Sequence, residues 1–187
     1  MQTASAFLPT QYGDFTAHAF KSKDEKEHFA VVKGSVRGKR NVLVRIHSSC
    51  LTGDVFHSQK CDCRQQFEQS LKLISKKGGV LVYLDQEGRG IGLHNKIRAY
   101  ALQEKGMDTF QANRALGFKE DDRHYAAAVE ILKLLQVKSV RLLTSNKRKE
   151  KELQASGIAV TQTIPLKTKP TKHNRKYLQA KKAFANA

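Results

Sequence analysis

Hydrophobic positions along the chain form short β-type runs separated by stretches of helical spacing. Val42-Leu43-Val44-Arg45-Ile46 is a β-branched run that predicts a strand and delivers His47-Ser48-Ser49-Cys50 to its end. After Asp62, the residues Phe67, Leu71 and Ile74 recur at helical spacing up to Lys76-Lys77-Gly78, giving an acidic start, a basic last turn and a glycine stop. Residues 80–84 read as a buried strand, followed by the glycine-punctuated Glu87-Gly88-Arg89-Gly90-Ile91-Gly92. Residues 93–105 predict a helix with Ile97, Ala101 and Leu102 on one apolar face and Gly106 as its stop. The polar stretch 108–122 reads as a loop with a turn at Gly117. Residues 125–135 predict an Ala/Leu-rich helix feeding a strand at 140–143; a short charged helix at 149–155 and a strand at 158–164 follow. There is no internal repeat and no clear linker. Strands alternating with helices predict an α/β fold, with α+β as the other option: a single layered domain with a mixed β-sheet and flanking helices.

Composition narrows the class. A chain of 187 residues is enough for about one domain with a well-filled core. No apolar run reaches the ~18 residues of a membrane span, and the first residues lack the charged-then-apolar order of a signal peptide. Three cysteines are an odd number and too few for a disulfide scaffold, so a reduced, cytoplasmic protein is expected. The formal net charge of +17 points to an anionic partner, nucleic acid included. Its distribution is uneven: residues 1–135 carry a balance of +6 and residues 136–187 a balance of +11. From Lys167 on there are seven basic residues and no acid. The expected organisation is a catalytic domain over 1–166 and a basic, partly mobile C-terminal extension over 167–187.

The cysteines carry the sharpest chemistry. Cys50, Cys61 and Cys63 stand in a C-x10-C-x-C spacing, with Cys61 and Cys63 at a helix start between Lys60 and Arg64. Helix N-termini and cations favour thiolates, the form that binds zinc, and three protein ligands leave a fourth position for water. Three buried thiols without a metal would have the same spacing, and His47 could close the site as a fourth ligand or serve as a hydrogen-bonding partner. A zinc nucleobase deaminase is excluded by its H-x-E and P-C-x-x-C signature: His47 is followed by Ser48-Ser49, and the cysteine pair is C-x-C without a preceding proline. Glycines between a strand and a helix at 87–92 could bring backbone N–H groups to an anion. Arg89, Arg45, Arg123 and Thr144-Ser145-Asn146-Lys147-Arg148-Lys149, with cations and hydroxyls at strand ends, suit a polyphosphate.

Together these segments resemble the GTP cyclohydrolase II family, which opens the imidazole ring of GTP at the entry to riboflavin synthesis. The resemblance rests on Arg45–Asp54, Cys61-Asp62-Cys63, Asp85–Gly92, Asn95–Gln103, Asp108-Thr109, Asn113, Leu116-Gly117-Phe118, Asp121-Asp122-Arg123 and Arg141–Thr144, in order from about Leu8 to Leu166. The tail's Asn174, Tyr177, Leu178 and Lys181 also look like the family's. The resemblance implies zinc on Cys50, Cys61 and Cys63, one ion per subunit with water as fourth ligand, and Mg²⁺ with the triphosphate. It implies GTP contacts from Arg45, Ile46, His47, Ser48, Ser49, Gln66, Glu87, Gly88, Arg89, Thr109, Thr144 and Lys149. Asp121 would be the proton acceptor, Arg123 the residue assigned as nucleophile toward the α-phosphorus, and Tyr100 the tyrosine near the ring chemistry. A guanidinium with a pKa above ~12 makes electrostatic stabilisation the plainer role for Arg123.

The implied reaction is zinc-dependent hydrolysis of GTP, releasing formate and pyrophosphate and leaving 2,5-diamino-6-ribosylamino-4(3H)-pyrimidinone 5′-phosphate. The resemblance further implies a monofunctional homodimer, with no membrane and no specific nucleic acid as partner. Two positions depart from the family. Ser49 stands where a glutamate is usual, and Asn146-Lys147-Arg148 replaces Asn-Pro-Lys while keeping Lys149. A catalytically weakened GTP-binding homologue and a zinc-bearing nucleic-acid-binding module are the competing expectations.

Overall fold

A computed structural model describes residues 1–186. Its contacts form two compact units, Met1–His47 with Phe67–Asp85 and His124–Lys167, and Ser48–Gln66 with Gln86–Arg123 and Thr168–Ala187. The first unit holds a mixed seven-stranded sheet in the order β1-β2-β3-β5-β4-β6-β7. Its strands are β1 (Gln2–Thr10), β2 (Gly13–Lys21), β3 (Glu27–Lys33), β4 (Val42–Ser48), β5 (Gly79–Leu84), β6 (Ser139–Leu143) and β7 (Ala159–Ile164). β1, β2, β3 and β5 pair antiparallel in sequence, whereas β4, β6 and β7 pair parallel.

Period-two alternation sends successive side chains to opposite faces and builds two cores. Ala30, Val32, Val44, Ile46, Val80, Val82 and Leu142 face one way, against Tyr125, Ala128, Ile131 and Leu132. The latter group belongs to helix α5 (Ala126–Leu134) and its first flanking residue. Val31, Leu43, Leu81 and Leu143 face the other way, against Leu71 and Ile74 of α2 (Cys63–Lys77). The expected α/β architecture, a mixed sheet with flanking helices, is present. Ile131 is fully buried, so Ile131→Ala should cost about 2–5 kcal/mol through lost contacts and a residual cavity. Phe7→Ala on exposed β1 should stay within about 0.5 kcal/mol. Urea midpoints at unchanged slope read both.

The second unit collects short helices: α1 (Leu51–Asp54), the first turn of α2, α3 (Gly92–Glu104), α4 (Thr109–Ala115) and α7 (Arg175–Asn186). Two expectations are corrected here. The stretch read as a loop contains α4, nucleated by a capping box in which the Asp108 carboxylate accepts from Phe110 and Gln111 N–H while Gln111 reaches back to the Asp108 N–H. Polarity concealed this helix because its apolar contribution is confined to Phe110 and Ala112. The inner face of α3 is also not the apolar one. Ile97 and Ala101 are exposed, and the buried residues are Lys96 and Ala99. The remaining helix, α6 (Lys147–Ala155), belongs to the first unit and starts two residues earlier than its charge pattern suggests, because Asn146 accepts from the Arg148 N–H as its cap.

Candidate metal centre and active site

The strand-end sequence after β4 turns into α1, and the first turn of α2 returns close to it. The sulfur atoms of Cys50, Cys61 and Cys63 thereby lie within 4.8 Å of one another. Cys50 Sγ and Cys61 Sγ are 3.8 Å apart. Two thiolates bound at ~2.3 Å with a tetrahedral angle would be separated by about 3.8 Å, so the donor set fits zinc in type and in spacing. Gly53 is the reason the sulfurs can meet. A Cβ there would sit 3.0 Å from both Cys50 Sγ and Cys61 Sγ, so any larger residue would crowd the sulfurs apart. Hydrogen bonding among the thiols pushes Cys50 well below the ordinary thiol range and drives Cys61 up to about 12, with Cys63 also well above its usual value. A divalent cation bound by all three sulfurs would supply charge that favours their thiolate forms.

Lys96 enters this cluster from α3. Its Nζ donates to Cys50 Sγ at 3.2 Å and to Glu87 Oε1 at 2.8 Å. Burial opposes the ammonium, but the Cys50 thiolate and Glu87 outweigh it and hold the Lys96 pKa above its ordinary range. Glu87 is tied down in turn, accepting from Leu51 N–H at 2.6 Å and from Gly88 N–H at 2.8 Å. Lys96, Ala99, Tyr100 and Gln103 all line one cavity with the cysteines. Their i, i+3, i+4, i+7 spacing shows that α3 presents a polar chemical face inward. Tyr100 Oη lies 3.4 Å from Thr52 Oγ1, and burial raises its phenol pKa.

The loop after β5 contributes the cations. Gly88 and Arg89 both take left-handed backbone conformations, with φ of +62° and +61°. Glycine adopts this readily, but an arginine is held there against a steric cost of roughly 1–2 kcal/mol. The consequence is an Arg89 guanidinium 4.4 Å above the Phe110 ring, with its Nη1 buried and lacking a hydrogen-bond partner. Such a group is ready for an anion. Arg123 also lines the cavity. It donates from Nε and Nη2 to the two oxygens of Asp121 at 2.8 and 2.5 Å. Burial alone would raise the Asp121 pKa; the bonds from Arg123 overcome it and hold the carboxyl below its ordinary range. Ser48, Ser49, Gly88 and Thr109 line the same cavity, whereas Gln66 donates to Asp62 Oδ2 at 2.6 Å.

The remaining candidates belong to the sheet unit. Arg45 Nη1 donates to Leu143 O at 2.9 Å, and His47 stacks on Tyr83 with ring centroids 5.5 Å apart. Lys149 is buried, donates to Ile46 O at 2.8 Å and sits over the Tyr125 ring. Thr144 Oγ1 caps the following turn by accepting from Asn146 N–H at 3.0 Å. The metal-type grouping found among the described residues contains the three cysteines and not His47.

Comparison with known proteins decides the family. The family model for GTP cyclohydrolase II matches residues 1–165. The chain belongs to the GTP cyclohydrolase II family. A GTP cyclohydrolase-2 of Picrophilus torridus is 48% identical over 180 residues, covering 96% of this chain and 94% of the relative. Another from Campylobacter hominis is 52% identical over 177 residues, covering 95% of this chain and 89% of its own. The riboflavin biosynthesis protein RibBA of Endomicrobium trichonymphae is 51% identical over 177 residues, and this chain spans 44% of its length. A solved two-domain 3,4-dihydroxy-2-butanone 4-phosphate synthase from A. baumannii aligns at 20% identity and a TM-score of 0.48 over 89% of this chain and 39% of its own.

Around this cavity, the sequence alone assigns no chemical role to Lys96, Gly53 or the cavity-lining Asn113 and Tyr177. The α3 stripe was the available signal for Lys96: shifting the helical register by one residue exchanges Ile97 and Ala101 for Lys96 and Tyr100.

Proposed function

We propose that this protein is a zinc-dependent GTP hydrolase that opens the guanine imidazole ring. The observation that carries the reading is a group of three cysteine sulfurs within 4.8 Å of one another in the wall of a cavity that also contains Arg89, Arg123 and Tyr100. Cys50, Cys61 and Cys63 would hold one zinc ion, which when bound supplies the Lewis acidity that activates water near neutral pH. One water opens the ring at C8, a second releases the resulting formyl group as formate, and a third cleaves the α,β-phosphoanhydride to release pyrophosphate. Arg89, with its unpartnered Nη1, and Arg123 offset charge on the phosphates, which Mg²⁺ would accompany.

Asp121 locks Arg123 in a forked pair, which supports an electrostatic role for the arginine and an orienting one for the carboxylate. Tyr100 flanks the reacting ring, with Ser48, Ser49, Gly88 and Thr109 as further substrate contacts. Glu87 joins them as the anchor of its loop. By the family resemblance, Arg45, Ile46, His47, Gln66, Thr144 and Lys149 would also contact GTP.

We further read the protein as a cytoplasmic homodimer whose catalytic domain, 1–166, is joined at the cysteine turn by contacts from the C-terminal segment. Three free cysteines support a reducing compartment, and no helix among the described residues is long and apolar enough to cross a membrane. Leu93 and Ile97, exposed one turn apart on α3, supply apolar surface that a second copy could cover. Incubating the purified protein with GTP and identifying products by mass and by a formate assay tests the reaction. The diaminopyrimidinone monophosphate with formate and pyrophosphate is expected; GTP recovered intact would refute it.

One observation bears on the weaker-enzyme reading. Ser49 Oγ accepts from Gln86 N–H at 3.1 Å, so the position usual for a family glutamate serves here to anchor the loop. A glutamate could keep that bond and add a carboxylate near the metal. Ser49→Glu should therefore raise kcat by about a hundredfold at unchanged zinc content, the low end of the gain for a positioned general base. Turnover unchanged or lowered would show that the chain is adapted to serine.

A further inference from the structure

The segment following the family-matched stretch is bonded into the second unit around the cysteines. Asn174 is fully buried and donates from Nδ2 to the Cys61 carbonyl at 3.3 Å, while its Oδ1 accepts from Thr171 N–H at 2.7 Å. Lys181 Nζ reaches both oxygens of buried Asp62, the residue between Cys61 and Cys63, at 3.1 Å each. Tyr177, a turn after Asn174 on α7, lines the cavity and lies 5.7 Å from the Arg89 guanidinium, so that Arg89 has Tyr177 as well as Phe110 as an aromatic neighbour.

These contacts have a common logic. The Cys61–Cys63 turn must hold two sulfurs at fixed spacing, and the Cys61 carbonyl and the intervening Asp62 carboxylate give it two handles. Asn174 takes one and Lys181 the other. Arg89 has a buried nitrogen without a partner, and aromatic faces fix a guanidinium without consuming its N–H donors. Tyr177 therefore restrains Arg89 while leaving it free to bind an anion.

We propose that Thr168–Lys181 is a strap that completes the site: Asn174 and Lys181 position the metal-binding turn, and Tyr177 positions Arg89 for the phosphates of the nucleotide. The Tyr177 half rests on the GTP reading above; the Asn174 half rests only on the cysteine cluster. The basic composition of the tail hides this role, because the residues that act are an asparagine, a tyrosine and a single lysine among the seven cations.

The test uses full-length chains carrying Asn174→Ala, Tyr177→Leu or Tyr177→Phe, each first checked for an unchanged far-UV spectrum and thermal midpoint. Zinc competition with a chromophoric chelator reads the first, and its zinc affinity should fall roughly 10- to 100-fold, as for loss of other groups that orient metal ligands. A Co²⁺-loaded sample should show a displaced thiolate-to-metal charge-transfer band. Tyr177→Leu should raise the KM for GTP about tenfold with kcat changed much less and zinc affinity kept, and Tyr177→Phe should recover the KM because the ring face is restored. Wild-type zinc affinity and spectrum in Asn174→Ala would overturn the metal half. An unchanged KM in Tyr177→Leu, or a Tyr177→Phe variant as impaired as Tyr177→Leu, would overturn the phosphate half. If the wild-type chain does not turn over GTP, the function reading falls while the zinc measurement still decides the metal half.

Discussion

Cys61→Ser is expected to abolish zinc retention and formate release together, lowering turnover by about a thousandfold or more. Cys61 is buried, and its sulfur sits 3.8 Å from that of Cys50. Serine has nearly the right shape and the wrong chemistry. Its hydroxyl stays protonated at neutral pH and its shorter C–O bond withdraws the donor atom, leaving two thiolates where three are needed for a tightly held ion with an open position. Ring opening loses the activated water, a term worth several kcal/mol. Zinc per chain by atomic absorption and formate per GTP should fall in parallel. A variant that loses zinc yet still opens the ring would exclude a metal-dependent mechanism.

Lys96→Met is the second large effect. The side chains of Lys96 and Glu87 are only 10% and 12% exposed, so removing the ammonium leaves a buried carboxylate and a buried thiolate without their shared donor. Breaking a buried pair in this way costs about 3–5 kcal/mol, far more than the same change on the surface. The damage is local to chemistry, because Glu87 also holds Leu51 N–H and Gly88 N–H at the edge of the metal site. Zinc affinity should drop roughly 10- to 100-fold and kcat with it. Lys96→Arg, which keeps the charge, should recover part of the affinity. A Lys96→Met chain with wild-type zinc affinity would show that the lysine only fills space.

How much of this was legible in the sequence varied with the physics behind each feature. The inner strands were readable because Val42–Ile46 and residues 80–84 are buried on both faces, which demands continuous apolar runs. The outer strand β1 left no such run: it is almost wholly exposed and its register with β2 comes from a turn, not from a core face, whereas the Phe29–Val32 run of β3 is short and flanked by charged residues. The cysteines were legible because thiols this close in sequence have few other uses. Lys96 was not, since a helix that turns its polar face inward inverts the rule by which inner faces are found. The tail likewise read as a charge property, because a carbonyl of Cys61 and the ring of Tyr177 leave no trace in composition.

The net charge of +17 also takes a different meaning. Part of the excess is internal to the proposed chemistry, in Lys96, Arg89, Arg123 and Lys181, each facing a thiolate, an aromatic ring or a carboxylate. Such cations are placed for a small anionic ligand rather than for the continuous basic surface that would follow a nucleic-acid backbone.

The central claim, that the three-cysteine group drives GTP ring opening through zinc, is tested most directly by titrating metal into the stripped protein while formate and pyrophosphate are measured. Turnover should rise linearly with added zinc and break at about one ion per chain, with both products appearing. Full turnover in protein holding almost no metal, or zinc bound at one per chain with no formate released, would contradict it.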